Sequence, residues 1–367
     1  MAQLELRNVT KTFGQTVALN DVSYTIKNGE FFVLLGASGA GKSTTINVFC
    51  GLEKPEQGQI LVDGNDVIDQ FPQERNIAAA FESYALYPHF TVFQNLMFPL
   101  EAPLRKKELT EEQRVKRVKE IAEMLGIGEL LDRYPRELSG GQKQRVALGR
   151  TLVRQPIAYM LDEPIAHLDA KLRHKMRSEL KKIQQTMGIT TLYATPDQLE
   201  ALSMGDTIAV MNKGVLEQIG TPDEIYYKPV NTFVASFVGD PPMNIFGADF
   251  LDDHIVVECD TPFHIPVSQE DRSKLVEKMG NCQLKIGIRP ADIKMTSADD
   301  PAANTIAEVV LIDTLGQTSI VVTRVKSSEI RVKVGSDQLP RLHENVGLIL
   351  DREQFYYFDA LSTLRIE

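Results

Sequence analysis

Two stretches of this sequence carry residue types whose spacing suits phosphate chemistry. The first, Gly36-Ala37-Ser38-Gly39-Ala40-Gly41-Lys42-Ser43, has the form GxxxxGK[ST] and runs on into Thr44. Glycines let a backbone fold around phosphates and aim its N–H groups at them, and a helix beginning there favours the negative charge. In such a loop Lys42 reaches the β- and γ-phosphates of a nucleoside triphosphate, and the Ser43 hydroxyl ligates Mg²⁺. The second stretch, Ile157-Ala158-Tyr159-Met160-Leu161-Asp162-Glu163, is an apolar run ending in two acids. Beside a phosphate loop, Asp162 is placed to hold Mg²⁺ through water and Glu163 to orient or deprotonate an attacking water. Taken alone, the same two acids read equally well as a solvated turn.

These residues need elements to position them. Phe31-Phe32-Val33-Leu34-Leu35 reads as a buried parallel strand, and Lys42 to Cys50 as the helix after the loop. Val115, Val118, Ile121 and Leu125 recur at helical spacing, as do Leu172, Met176, Leu180, Ile183 and Met187. Strands alternating with helices predict an α/β domain around a central, largely parallel sheet. After about Val238 the pattern changes. Gly239-Asp240-Pro241-Pro242 reads as a turn or linker, and Gln283 to Ile288, Ser319 to Val325 and Glu329 to Val334 alternate with a two-residue period. The expected organisation is residues 1–238 as a nucleotide-binding domain and residues 239–367 as a smaller β-rich domain.

Composition narrows the function. The 367 residues suffice for two domains, and 40 basic against 50 acidic residues argue against a nucleic-acid partner. Arg105-Lys106-Lys107 and Lys181-Lys182 read as solvated helix surface. Cys50, Cys259 and Cys282 are scattered, with no CxxC spacing, so neither a disulfide framework nor a zinc site is implied. MAQLELRNV lacks an apolar signal core, and no apolar run reaches the ~18 residues needed to span a bilayer. A soluble, cytoplasmic chain is expected, serving any membrane process through partners.

Leu138-Ser139-Gly140-Gly141-Gln142, followed by Lys143-Gln144-Arg145, resembles the signature of ABC-type ATPases. "SYALYPHFTV" (residues 83–92) looks like the loop that meets the transmembrane subunits in importers for carbohydrates and glycerol phosphate. "LDAKLR", "GTPDEIYYKPVNTFVASFVGDPPMN" and "GIRPADI" look like further segments of the same importer ATPases. The resemblance implies a P-loop fold with a helical subdomain at about residues 90–155 and a C-terminal, OB-like regulatory domain. It implies ATP and Mg²⁺ as cofactors, with Phe13 stacking on adenine; alone, Phe13 reads as a core aromatic. Ser139, Gly140, Gly141 and Gln142 would act on ATP held by a partner cassette. Further partners would be transmembrane permease subunits and, indirectly, a periplasmic or lipid-anchored solute-binding protein. The implied location is the cytoplasmic face of the inner membrane.

Three positions depart from the family's pattern. Where the family has histidine in "THDQ", touching the γ-phosphate, this chain has Pro196 in "TPDQ". Where it has a Mg²⁺-contacting glutamine, this chain has Glu82, still a hard oxygen ligand. Ala166-His167 stands where many relatives have small polar residues, and His167 reads as an exposed loop residue or a substitute imidazole. Binding residues are thus intact while activating ones are altered. The expectation is a catalytically weaker cassette whose own site turns over slowly, paired with a different ATPase subunit. A homodimer with unconventional sites is the alternative, and a nucleotide-dependent regulatory module a third reading.

Overall fold

The computed structural model describes residues 2–81, 85–103, 109–251, 254–258, 263–266, 273, 284–314, 316–326, 328–337 and 339–366. Glu82, the basic triplet at 105–107, Cys259 and Cys282 lie outside these residues. By contacts the chain divides into two compact units, Met1–Pro222 and Asp223–Glu367.

In the first unit a six-stranded sheet places the strands in the order Val215–Gly220, Thr207–Asn212, Phe31–Leu35, Thr190–Thr195, Ala158–Asp162, Ile77–Ala80. All its neighbours pair in parallel except the antiparallel edge Val215–Gly220. The three central strands Phe31–Leu35, Thr190–Thr195 and Ala158–Asp162 are buried along their whole lengths. This explains why they read as continuous apolar or small-residue runs rather than alternating ones. A four-stranded antiparallel sheet, with Leu4–Phe13 and Thr16–Ile26 as its long hairpin, shares one core with it. There Leu4, Leu6, Leu19, Val22 and Ile26 pack with Phe32, Leu34, Ile46 and Phe49.

Six helices of this unit matter for the site: α1 (Lys42–Cys50), α2 (Val92–Glu101), α3 (Glu111–Met124), α4 (Gly140–Leu152), α5 (Ala170–Met187) and α6 (Gln198–Met204). Their starts are written in the sequence. Thr91, Thr110 and Ser139 form capping boxes with Gln94, Gln113 and Gln142, and Asp169 and Asp197 cap the last two. Helix α1 differs: its cap is Gly41, in the left-handed region with no side-chain cap, so its first amides remain available. Met176, Leu180 and Ile183 are the buried face of α5, as their spacing predicts, with Leu172 and Met187 only half-buried.

The second unit is β-rich. A six-stranded and a five-stranded sheet, antiparallel throughout, enclose one core in which Ile255, Val257, Ile286 and Ile288 meet Val309, Val321, Ile330, Val332 and Leu348. The helix Thr232–Phe237 belongs to this unit. Arg289, almost wholly buried, donates to the carbonyls of Tyr226, Ala235 and Val238, and Ala235 packs on Met243 and Phe358. The segment ahead of Gly239 is thereby fastened to the β-rich core.

Candidate nucleotide site

The glycine-rich loop begins where Phe31–Leu35 ends. Gly36 N–H donates to Thr195 O at 3.3 Å, binding the loop to the neighbouring strand's last residue. No side chain fits there, since a Cβ on Gly36 would stand 2.5 Å from Met211 O. Gly41 is held twice over: its φ is 105°, and a Cβ would stand 2.6 Å from Ala18 O. Between them Ala37, Ser38 and Gly39 are exposed, followed by exposed Ser43 and half-buried Thr44. The loop therefore presents open backbone at a helix N-terminus, an arrangement that receives phosphate.

Lys42 lies inward, 4% exposed. Its ammonium donates to Gly36 O at 2.9 Å and Ala37 O at 3.1 Å, and stands 3.5 Å from Glu163 Oε1. Asp162 ends its strand buried, while Glu163 is partly exposed. Glu163 has φ 46°, unusual for a residue with a Cβ, and its N–H donates to Ala194 O at 3.0 Å. The two acids thus form no freely solvated turn: Asp162 is buried as the last strand residue, and Glu163, next after it, stands beside Lys42.

Leu35 and Thr195 sit opposite each other in the parallel pair, so Pro196 follows directly beside the start of the loop, exposed. The residue in the expected sensing position has no donor to offer. Behind it the strand end is anchored by a buried carboxylate. Glu200, 3% exposed, accepts from Thr195 Oγ1 at 2.7 Å and Tyr193 OH at 2.8 Å. Burial raises its pKa from the ordinary carboxylate value, with the two hydroxyls pulling the other way. Asp197 N–H donates to Thr195 Oγ1, and the Asp197 carboxylate caps α6.

On α4, Ser139 and Gly140 are exposed at the cap, and the Ser139 hydroxyl accepts from Gln142 N. Sequence reasoning quoted Gln144 but gave it no role; the structure does. This buried amide donates to Glu163 O at 3.2 Å and accepts from His167 N at 3.2 Å, joining the signature helix to the loop after the acidic strand. Glu200 belongs to no motif, and the partners of Gln144 lie outside the signature run that contains it, so only the fold reveals their roles. The His167 side chain is exposed. Phe13 is not a core aromatic: it stands 45% exposed at its strand end, with the Lys11 ammonium 5.0 Å from its ring centroid.

This set defines a class, the nucleotide-binding cassette: a phosphate loop, an acidic strand beside it, and a capped signature helix tied to that strand's exit. The comparisons place it within one family. A profile of the ABC transporter family matches residues 19–166. The trehalose/maltose import ATP-binding protein MalK of Thermococcus litoralis is 44% identical over 374 residues, covering 99% of each chain. The sn-glycerol-3-phosphate import ATP-binding protein UgpC of Bordetella avium is 39% identical over 373 residues, covering 100% of this chain and 99% of its own. The dimeric post-hydrolysis structure of the cassette MJ0796 bound to ADP and Pi matches with a TM-score of 0.55 and 33% identity, over 60% of this chain and 98% of that one. The chain belongs to the ABC transporter ATP-binding family: it is an ATP-binding, energy-coupling subunit with ABC-type ATPase activity. No helix among the described residues is long and apolar enough to cross a membrane.

Proposed function

We propose that this chain drives an importer for a sugar, polyol or related small solute, from the cytoplasmic face of the membrane. The near end-to-end similarity to MalK and UgpC, whose names state trehalose/maltose and glycerol-3-phosphate import, supports that solute class. Transmembrane permease subunits and an external solute-binding protein complete the assembly.

Within the site, ATP lies on residues Gly36 to Thr44, with Phe13 against adenine. Ser43 and Asp162 supply hard oxygen donors suited to Mg²⁺, which neutralises phosphate charge when bound. Glu82 is expected to complete that set. Lys42 exchanges the carbonyls of Gly36 and Ala37 for phosphate oxygens, and Glu163 orients and deprotonates the attacking water. Ser139, Gly140, Gly141 and Gln142 grip the γ-phosphate of a second cassette's ATP.

The observation that carries the finer reading is Pro196 beside the loop. Loss of one preorganised contact to the reacting phosphate costs about 10²–10³ in rate. We infer that this chain's own site is the slower of two and that its signature completes a faster site on a different ATPase subunit. A homodimer is the second reading, favoured by the dimeric structure of MJ0796 and by the retained Lys42–Glu163 contact. The native mass of the complex purified through a tag on this chain separates them. One copy beside a different ATPase supports the asymmetric pair; two copies and no other ATPase overturn it.

A further inference from the structure

Helix α4 is fastened to a second loop at its far end. Arg150 lies 11 residues beyond the Ser139 cap, about 16 Å along a helix rising 1.5 Å per residue. Its guanidinium stands 4.4 Å from the Tyr87 ring centroid and donates to Ala85 O. Arg150 is half-buried and its Nε has no hydrogen-bond partner among the described residues. Withdrawing a guanidinium from water is costly unless something nearby compensates. Here the compensation, a ring face and a carbonyl, comes from one short loop.

That loop is stiff enough to be moved as a body. Asn95, fully buried on α2, accepts from Tyr87 N at 2.9 Å, and its amide nitrogen reaches the carbonyls of Tyr87, Phe90 and Thr91 within 3.1 Å. The Tyr87, Phe90 and Phe98 rings pack pairwise at 4.7–5.7 Å. At the other end of α4, Gln144 fastens the helix to Glu163 and His167.

We propose that Arg150 is a positioning residue coupling the nucleotide end of α4 to the Ala85–Thr91 loop, so that engagement of Ser139 with a partner's ATP shifts the surface offered to the membrane subunits. The link does not pass through position 82, where this chain departs from the family. It rests on the reading above that α4 serves a partner's nucleotide and that the loop faces membrane subunits.

The test uses the assembled complex in proteoliposomes, measuring ATP affinity and ATP turnover with and without solute-loaded binding protein. Arg150→Met keeps the length and removes charge and donors; Arg150→Lys keeps charge without the planar fork. For Arg150→Met we expect ATP affinity and basal turnover within about twofold of wild type, and solute-stimulated turnover reduced about tenfold. Arg150→Lys recovers only part of the stimulation, and Tyr87→Leu adds little to Arg150→Met, since both remove the same contact. Wild-type stimulation in Arg150→Met, or full additivity with Tyr87→Leu, overturns the proposal.

Should Arg150→Met fail to assemble, Arg150→Lys and Tyr87→Leu carry the same comparison. A wild-type complex with no solute stimulation sinks the transport reading instead. The tie is then read in the same assembled complex, with both ATPase subunits present, as an ATP-dependent change in amide exchange over residues 85–91. That change should be present in wild type and lost in Arg150→Met; its persistence in the variant overturns the proposal.

Discussion

The Lys42 ammonium stands 3.5 Å from Glu163 Oε1 while donating to two carbonyls of its own loop. The amine proposed to meet the phosphates and the acid proposed to meet the water thus share one small volume. With Glu163 partly exposed, the pair adds little to stability. Its importance on the proposed reading is positional: the same ammonium would turn to phosphate when nucleotide enters. Lys42→Ala should weaken nucleotide binding about 10- to 100-fold, the usual scale for charge-assisted hydrogen bonds. Fluorescent-nucleotide titration of the purified chain reads this directly; unchanged affinity would remove Lys42 from the binding set.

Glu163→Gln separates the two assemblies. If chemistry runs mainly on a different subunit, the variant complex keeps turnover within about twofold and binds ATP as before. Steady-state hydrolysis by the complex supplies the measurement. A loss of about 10²-fold or more means that this chain hydrolyses its own ATP.

Restoration is the complementary experiment. Pro196→His with Glu82→Gln restores the residues that the family's pattern has at these two positions. Because Pro196 is exposed beside Gly36, a histidine there has room and needs no core rearrangement. Turnover at this chain's own site should rise about 10²-fold in single-turnover assays with labelled ATP. No gain would mean that Pro196 is not what limits the site.

Much of this was legible in the sequence because each signal had a local cause. The strand Phe31–Leu35, helix α1 from Lys42 to Cys50, and the caps at Thr110 and Ser139 depend on residues only a few positions apart. The three departures were visible because motifs fix what should stand at each position. Gln144 and Arg150 were not, because their meaning lies in partners 19 and 65 residues away, reached only after the strands and α4 have packed. Glu200 has near partners, Thr195 and Tyr193, but no sequence pattern says that a carboxylate just past a strand turns back into it rather than to solvent. Phe13 misled in isolation: an aromatic at a strand end reads as core, and only the fold leaves its ring in the open. The attachment of Thr232–Phe237 to the β-rich unit was equally hidden, since it depends on Arg289 more than fifty residues downstream.

The strand end carrying Pro196 should also be sensitive to pH. Glu200 is buried with the Thr195 and Tyr193 hydroxyls donating to it, and burial raises its pKa. A carboxyl raised in the folded state binds its proton more tightly there than in the unfolded chain. Its stabilising contribution is therefore fully present below the ordinary carboxylate pKa and is lost as pH rises through the raised value. Asp197, capping α6 next door, adds to the rise, while Arg173, 3.8 Å from Asp197, opposes it. Glu200→Gln keeps an oxygen acceptor for both hydroxyls and removes the ionisation. Thermal melts from pH 4.5 to 8 should show the variant gaining on wild type as pH rises, through loss of the wild-type stabilisation. Parallel curves over that range would show that Glu200 keeps one protonation state and that its two hydroxyl contacts act only as structural ties.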